Sequence, residues 1–140
     1  MRAVLKRALG PLARRPGRRE VPPPPVPVRI PIFSIGIYTG ASPLALSPAA
    51  DVRNPVLTAA DVTDVRAGYV ADPFMIRVRG TWHMFFEVIN LTSGRGEIAL
   101  ASSDDGMTWT YQQIVLREPF HLSYPYDLEW QGDYYMVPES

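Results

Sequence analysis

The chain has 140 residues, fifteen of them proline and none cysteine, and its 14 Lys and Arg balance 14 Asp and Glu. That length suits one ordinary domain, and the absence of cysteine excludes disulfides and thiolate metal sites. The halves differ: residues 1–30 hold eight basic side chains against Glu20 alone, whereas the rest hold six basic and thirteen acidic, near −7, which argues against nucleic acid as the main partner because phosphates need a basic surface.

The opening "MRAVLKRALGPLARRPGRRE" has the positive start of an export signal but lacks its apolar stretch, and its arginine content also fits a transit peptide. A disordered basic tail is expected over residues 1–30, running into "VPPPPVPVRIP", an extended polyproline stretch. No segment approaches the ~20 apolar residues of a membrane span. The folded part is expected over residues 31–140. Within it, "IFSIGIYTG" alternates Phe33, Ile35 and Ile37, a strand signal. The Pro-, Asp- and Ser-rich run that follows, to Gly68, reads as a surface connection with at most one brief strand.

From Val70 the pattern is regular. Asp72–Val78 and Thr81–Glu87 flank Arg79-Gly80, a two-residue hairpin turn. Glu97–Ser103 and Met107–Val115 form a second hairpin around "DDG", and residues 116–123 cross over. Tyr124–Trp130 and Asp133–Glu139 then form a third hairpin around Gln131-Gly132. The third repeats the first at an offset of 52: Pro73 falls on Pro125, Gly80 on Gly132, Met84 on Met136 and Glu87 on Glu139. Four antiparallel strands followed by the first hairpin again is the pattern of a β-propeller. The expected fold is all-β: one complete four-stranded blade plus the first hairpin of the next.

"SSDDGMTW" fits S-x-D-x-G-x-x-W through Ser102, Asp104, Gly106 and Trp109, and resembles the Asp-box of sialidases. The carboxylate of Asp104 is expected to take the turn N–H groups, with Trp109 packed beneath. Asn90-Leu91-Thr92 satisfies the glycosylation pattern. His83 and His121 are too far apart for a metal motif, and no cofactor is expected.

Counting back from the turns places Asp72 opposite Glu87 and Tyr124 opposite Glu139. In a propeller the innermost strands line a central channel. That geometry gathers Asp72, Glu87, His121, Ser123, Tyr124 and Glu139 at one rim. Carboxylates accept from sugar hydroxyls and aromatic faces cover the C–H side of a sugar ring, so the implied partner is a carbohydrate or glycoconjugate.

"ADPF" resembles the opening of the five-bladed propellers of glycoside hydrolase family 43. The longer run "HLSYPYDLEWQGDYYMVPES", with "NPVLTAADVTDV" and "GEIALASSDDGMTW", is similar to family-43-like proteins and to the N-terminal domain of plant glucosamine inositolphosphorylceramide transferases. The hydrolase resemblance implies that Asp72 is the general base or nucleophile, with its partner carboxylates in blades three and four, which this chain lacks. The chain is accordingly expected to be a piece of a longer protein whose missing C-terminal blades are its natural partners. Three functions follow: a glycoside-hydrolase-like propeller, a non-catalytic sugar-recognising propeller attached to a glycosyltransferase, or an inactive fragment.

Overall fold

A computed structural model describes residues 32–140; the expected basic tail lies outside them. The described residues contain no α-helix, and no helix among them is long and apolar enough to cross a membrane. The elements in chain order are β1 (Tyr38–Gly40), β2 (Leu46–Pro48), a single 3-10 turn (Ala59–Asp61), β3 (Ala67–Val78), β4 (Thr81–Asn90), β5 (Arg95–Ser103), β6 (Thr110–Leu116), β7 (Ser123–Trp130) and β8 (Asp133–Glu139). They form three antiparallel sheets: β1-β2, the four-stranded β3-β4-β5-β6, and β7-β8.

The two long hairpins share a turn. Arg79 and Gly80 have φ of 51° and 96°, and Gln131 and Gly132 have 55° and 86°. Positive φ at both central residues follows the right-handed strand twist, and glycine at the second position removes half of the steric cost.

Along β4, Met84, Phe86 and Val88 are fully buried on one face, as an alternating strand requires. They pack with Val70, Ala99, Ala101 and Trp109 beneath a cover made by the chain before β3, which supplies Ile35, Ile37, Ala49, Leu57 and Val62. Each such side chain contributes about 1.5–3 kcal/mol by leaving water. Ile35 and Ile37 therefore face inward, but the expected strand is broken into one bridge, Ile35 to Leu57, and the short β1, and Phe33 stays half exposed. Asn54 explains the interruption. Its Oδ1 accepts from the Ile37 N–H at 2.8 Å and its Nδ2 donates to the Ile37 carbonyl at 3.0 Å, so a side chain takes the place of a strand partner. The segment read as a surface connection is mostly exposed and holds one brief strand, β2, but also contributes Ala49, Leu57 and Val62 to the core.

On the sheet's other face sits the β7-β8 hairpin. Phe74 meets Tyr124 and Tyr126 edge to face, with ring centroids 4.6 and 5.7 Å apart, and Leu122 and Pro125 are buried at the junction.

The turn between β5 and β6 corrects the expected assignment. Asp105, not Asp104, binds the turn: its Oδ1 accepts from the Met107 and Thr108 amides, both at 2.7 Å, and from Ser103 Oγ at 2.9 Å. Ser103 is buried whereas Ser102 is half exposed, and the Ser103 hydroxyl ties Asp105 into the turn. Gly106 has φ of 75°, and buried Trp109 donates Nε1–H to its carbonyl at 3.1 Å. Because Asp105 has taken the amides of residues 107 and 108, β6 starts at Thr110 rather than Met107.

The Thr108 and Met107 amides and the Ser103 hydroxyl hold the Asp105 carboxyl down at about 2. A depressed folded value adds stability above the ordinary aspartate value that is lost as pH falls toward 2. Asp105→Asn should therefore lower the urea midpoint at pH 7 and flatten its acid limb between about pH 4 and 2. Asp104→Asn should change neither, and equal effects of the two variants would restore the original assignment.

Candidate functional site

The rim is set by two prolines. In the first hairpin Phe74 pairs with Phe85 but Ala71 pairs with Glu87, so Asp72 and Pro73 together oppose a single residue. In the second, Tyr126 pairs with Val137 and Ser123 with Glu139, so Tyr124 and Pro125 form the same bulge. Proline offers no N–H to a ladder, and an extra residue lets the strand pass it without an orphaned bond. The first residue of each bulge is left-handed, Asp72 with φ of 50° and Tyr124 with 47°. Neither is glycine, and the conformation costs roughly 1–2 kcal/mol for an L-residue. Hence two expectations are corrected by one residue: Ala71, not Asp72, stands opposite Glu87, and Ser123, not Tyr124, stands opposite Glu139. The bulge also lets β3 run back to Ala67.

Asp72 is exposed and Glu87 is 4% exposed. Glu87 Oε1 accepts from the Tyr69 hydroxyl at 3.0 Å, and His121 Nε2 lies 3.2 Å from the same oxygen. Asp72 is close enough for its carboxyl to act on Glu87. His121 is fixed from behind, because its Nδ1 accepts from the Gly96 N–H at 2.9 Å and the next residue's amide, Leu122 N–H, donates to the Gly96 carbonyl at 3.0 Å. A Cβ on Gly96 would sit 2.2 Å from the Leu122 carbonyl oxygen and 2.9 Å from Glu87 Oε1. Only glycine permits this approach.

The structure thus brings Asp72, Glu87 and His121 into one cluster, with Tyr124 beside it on Phe74. Ser123 is half-buried and Glu139 exposed. These two face each other across β7-β8, and among the described residues neither side chain makes a hydrogen bond. Tyr69 and Gly96 were not singled out from the sequence. Tyr69 precedes the proline that marked the expected strand start, and Gly96 differs from an ordinary loop glycine only by the histidine packed over it.

Burial raises the Glu87 carboxyl above its ordinary value; the Tyr69 hydrogen bond and the charge of His121 oppose that, and the neighbouring Asp72 carboxyl adds to it. Burial, then the Glu87 charge, push the Tyr69 phenol up to about 12. A second buried carboxylate, Glu97, serves structure. Its Oε1 accepts from Asn90 Nδ2 at 2.8 Å and Ser93 Oγ at 3.2 Å, and Arg117 Nε lies 3.1 Å from Oε2. The amide nitrogen of Asn90 is therefore engaged inside the fold rather than presented for glycosylation. The larger of the described concavities, about 480 Å³, lies between residues 51–56 and the Asp105 turn, away from Asp72.

The family described as "Glucosamine inositolphosphorylceramide transferase 1, N-terminal" matches residues 31–140. Glucosamine inositolphosphorylceramide transferase 1 of Oryza sativa subsp. indica and that of subsp. japonica are each 38% identical to the chain over 123 residues. The Arabidopsis thaliana protein of the same name is 37% identical over 123 residues. In all three the match covers 77% of this chain and 16% of the relative, so the chain spans about a sixth of their length. No solved structure matches it.

Because the folded value of Glu87 is raised, its contribution to stability is complete below the ordinary glutamate value and is lost as pH rises through the folded one. Glu87→Gln, which mimics the protonated carboxyl, should gain Tm relative to the native chain as pH climbs from about 4 to 8. Calorimetry at several pH values checks this; a constant or shrinking difference contradicts the burial account.

Proposed function

The chain belongs to the glucosamine inositolphosphorylceramide transferase 1 N-terminal family, and on that premise we propose that residues 31–140 are part of a β-propeller that binds the sugar of a glycoconjugate. The propeller reading is supported by the repetition at 52 residues, which extends to backbone detail. Turn, bulge and acidic position recur together, as Asp72-Pro73 and Tyr124-Pro125, Arg79-Gly80 and Gln131-Gly132, Glu87 and Glu139. A stacked copy of the same hairpin is how a propeller grows.

The observation that carries the binding role is the pair of left-handed bulges, which leave a carboxylate, Asp72, and a ring, Tyr124, exposed at the same position of the two hairpins. Asp72 and Glu139 accept from sugar hydroxyls, Tyr124 covers the C–H face of the ring, and His121 and Ser123 line the rim behind it. Glu87 supports Asp72 from within. The relatives' printed name supports a glucosamine- or inositolphosphate-bearing headgroup as the ligand.

Recognition is favoured over cleavage because the matched family is named for transfer rather than hydrolysis.

Titration of the full chain with glucosamine and with inositol phosphate, followed by amide NMR shifts, tests the proposal. Binding should perturb the amides around Asp72, His121 and Tyr124. Asp72→Asn and Tyr124→Ala should each weaken it roughly fivefold or more, about 1 kcal/mol. Absence of binding by either compound, or binding untouched by both variants, would overturn the assignment.

A further inference from the structure

We propose that the β1-β2 hairpin is a membrane-contact arm, which seats Leu44 in an anionic lipid surface while the arginine-rich segment preceding it in the chain meets the lipid phosphates. The proposal goes beyond the sugar-binding reading and does not depend on it.

The arm is uncharged and open to solvent along its whole length. From Ile30 to Ala50 the sequence holds no Asp, Glu, Lys, Arg or His, and every one of residues 38–48 is exposed. A water-facing surface ordinarily carries a charge at about one position in four. Here Leu44 is 98% exposed, and Tyr38 and Leu46 are each more than half exposed. The register pairs Tyr38 with Pro48 and Gly40 with Leu46. Tyr38 and Leu46 therefore share one face of the arm, and Thr39 and Ser47 share the other.

The arm is also built to hold its apex outward. Its base is fixed in the core, where Ile37 and Ala49 are buried and the Ala49 N–H donates to the Ile37 carbonyl at 3.3 Å. Beyond that base, among the described residues, β1 and β2 pair only with each other. At the apex the Ala45 N–H donates to the Ser42 carbonyl at 3.0 Å, which closes a turn with Pro43 and Leu44 at its centre. Proline presets the backbone of the first central position. A Cβ on Gly40 would lie 1.9 Å from the Ala45 carbonyl oxygen, so the strands close this tightly only on glycine.

A lipid surface suits these features better than a protein partner does. A stable protein interface takes about 20–30 residues a side, more than residues 38–48 supply. A bilayer asks for an inserted apolar side chain, a tyrosine at headgroup level and positive charge near anionic headgroups. Residues 1–30 hold eight basic side chains against Glu20 alone, and the next acid in the chain is Asp51, past the arm. One apolar anchor alone binds marginally, whereas an anchor joined to a polybasic stretch holds.

The chain has no cysteine, so an environment-sensitive fluorophore can be attached to the full chain at Leu44→Cys alone, or at Asp104→Cys on the exposed β5-β6 turn as a control. Vesicles of phosphatidylcholine containing phosphatidylserine should shift the emission at position 44 to the blue and leave that at 104 unchanged. In sedimentation of the unlabelled chain with the same vesicles, Leu44→Glu should lower partitioning roughly tenfold or more, and added salt should weaken it. Because Leu44 is 98% exposed, its replacement leaves the core untouched. Failure to partition overturns the proposal. So does partitioning that Leu44→Glu leaves intact, the behaviour of the basic segment acting alone, or equal partitioning onto phosphatidylcholine by itself. A blue shift without vesicles that grows with protein concentration would assign the arm to a second copy of the chain and overturn it as well. The vesicles carry no sugar, so none of these results bears on Asp72 or Tyr124.

Discussion

A proline has no amide hydrogen to give a ladder, and most of the candidate site follows from where the chain accommodates that loss. At Pro73 and again at Pro125 the strand takes one extra residue. Pairing before the bulge is consequently displaced by one position from pairing after it. A one-residue slip moves side chains to the opposite face of a sheet, so the bulge decides which residues of Ala67–Ala71 share a face with Glu87. Tyr69 meets the Glu87 carboxyl for that reason. The residue ahead of each proline sits in the left-handed region, and at both positions it carries a side chain where glycine would be the relaxed choice. Strain of this kind persists only where surrounding contacts over-determine it, and the Phe74–Tyr124 edge contact together with buried Pro125 supplies them.

The second constraint is Gly96. Its N–H and carbonyl hold His121 and Leu122 respectively, so the crossover is tied to the first sheet just before β7 begins. That tie and the aromatic contacts at Phe74 position the second hairpin over the first. Tyr69 and His121 at Oε1 offset part of the cost of burying Glu87, since an unpartnered buried polar group costs several kcal/mol. The fold and the rim chemistry therefore use the same atoms.

Turns and period-2 strands were legible because their signals are local. Arg79-Gly80 and Gln131-Gly132 are each placed at the correct residues by a two-residue loop with glycine second. The 52-residue repeat, the four-plus-two strand order and the all-β class follow from them. The bulges were not legible, since counting back from a turn assumes an unbroken ladder, although the proline inside each run was the available signal. Asp105 was missed because a motif spacing does not say which of two adjacent aspartates takes the turn amides; the bond from Ser103 decides it. The segment before β3 is mostly exposed, as expected, but the core residues it supplies, Ala49, Leu57 and Val62, were not legible because its apolar residues follow no single period. His121 was visible as a polar residue leading into a strand, whereas its partner Tyr69 is visible only once the register is known.

The slip in register is what places Asp72 at the rim and Glu87 behind it, and cross-strand nuclear Overhauser contacts in the full chain measure it directly. The account predicts contacts pairing Phe74 with Phe85 and Ala71 with Glu87, the same one-residue step between Tyr126–Val137 and Ser123–Glu139, and ring contacts from Phe74 to Tyr124. An unbroken ladder that pairs Asp72 with Glu87 and Tyr124 with Glu139 would contradict it.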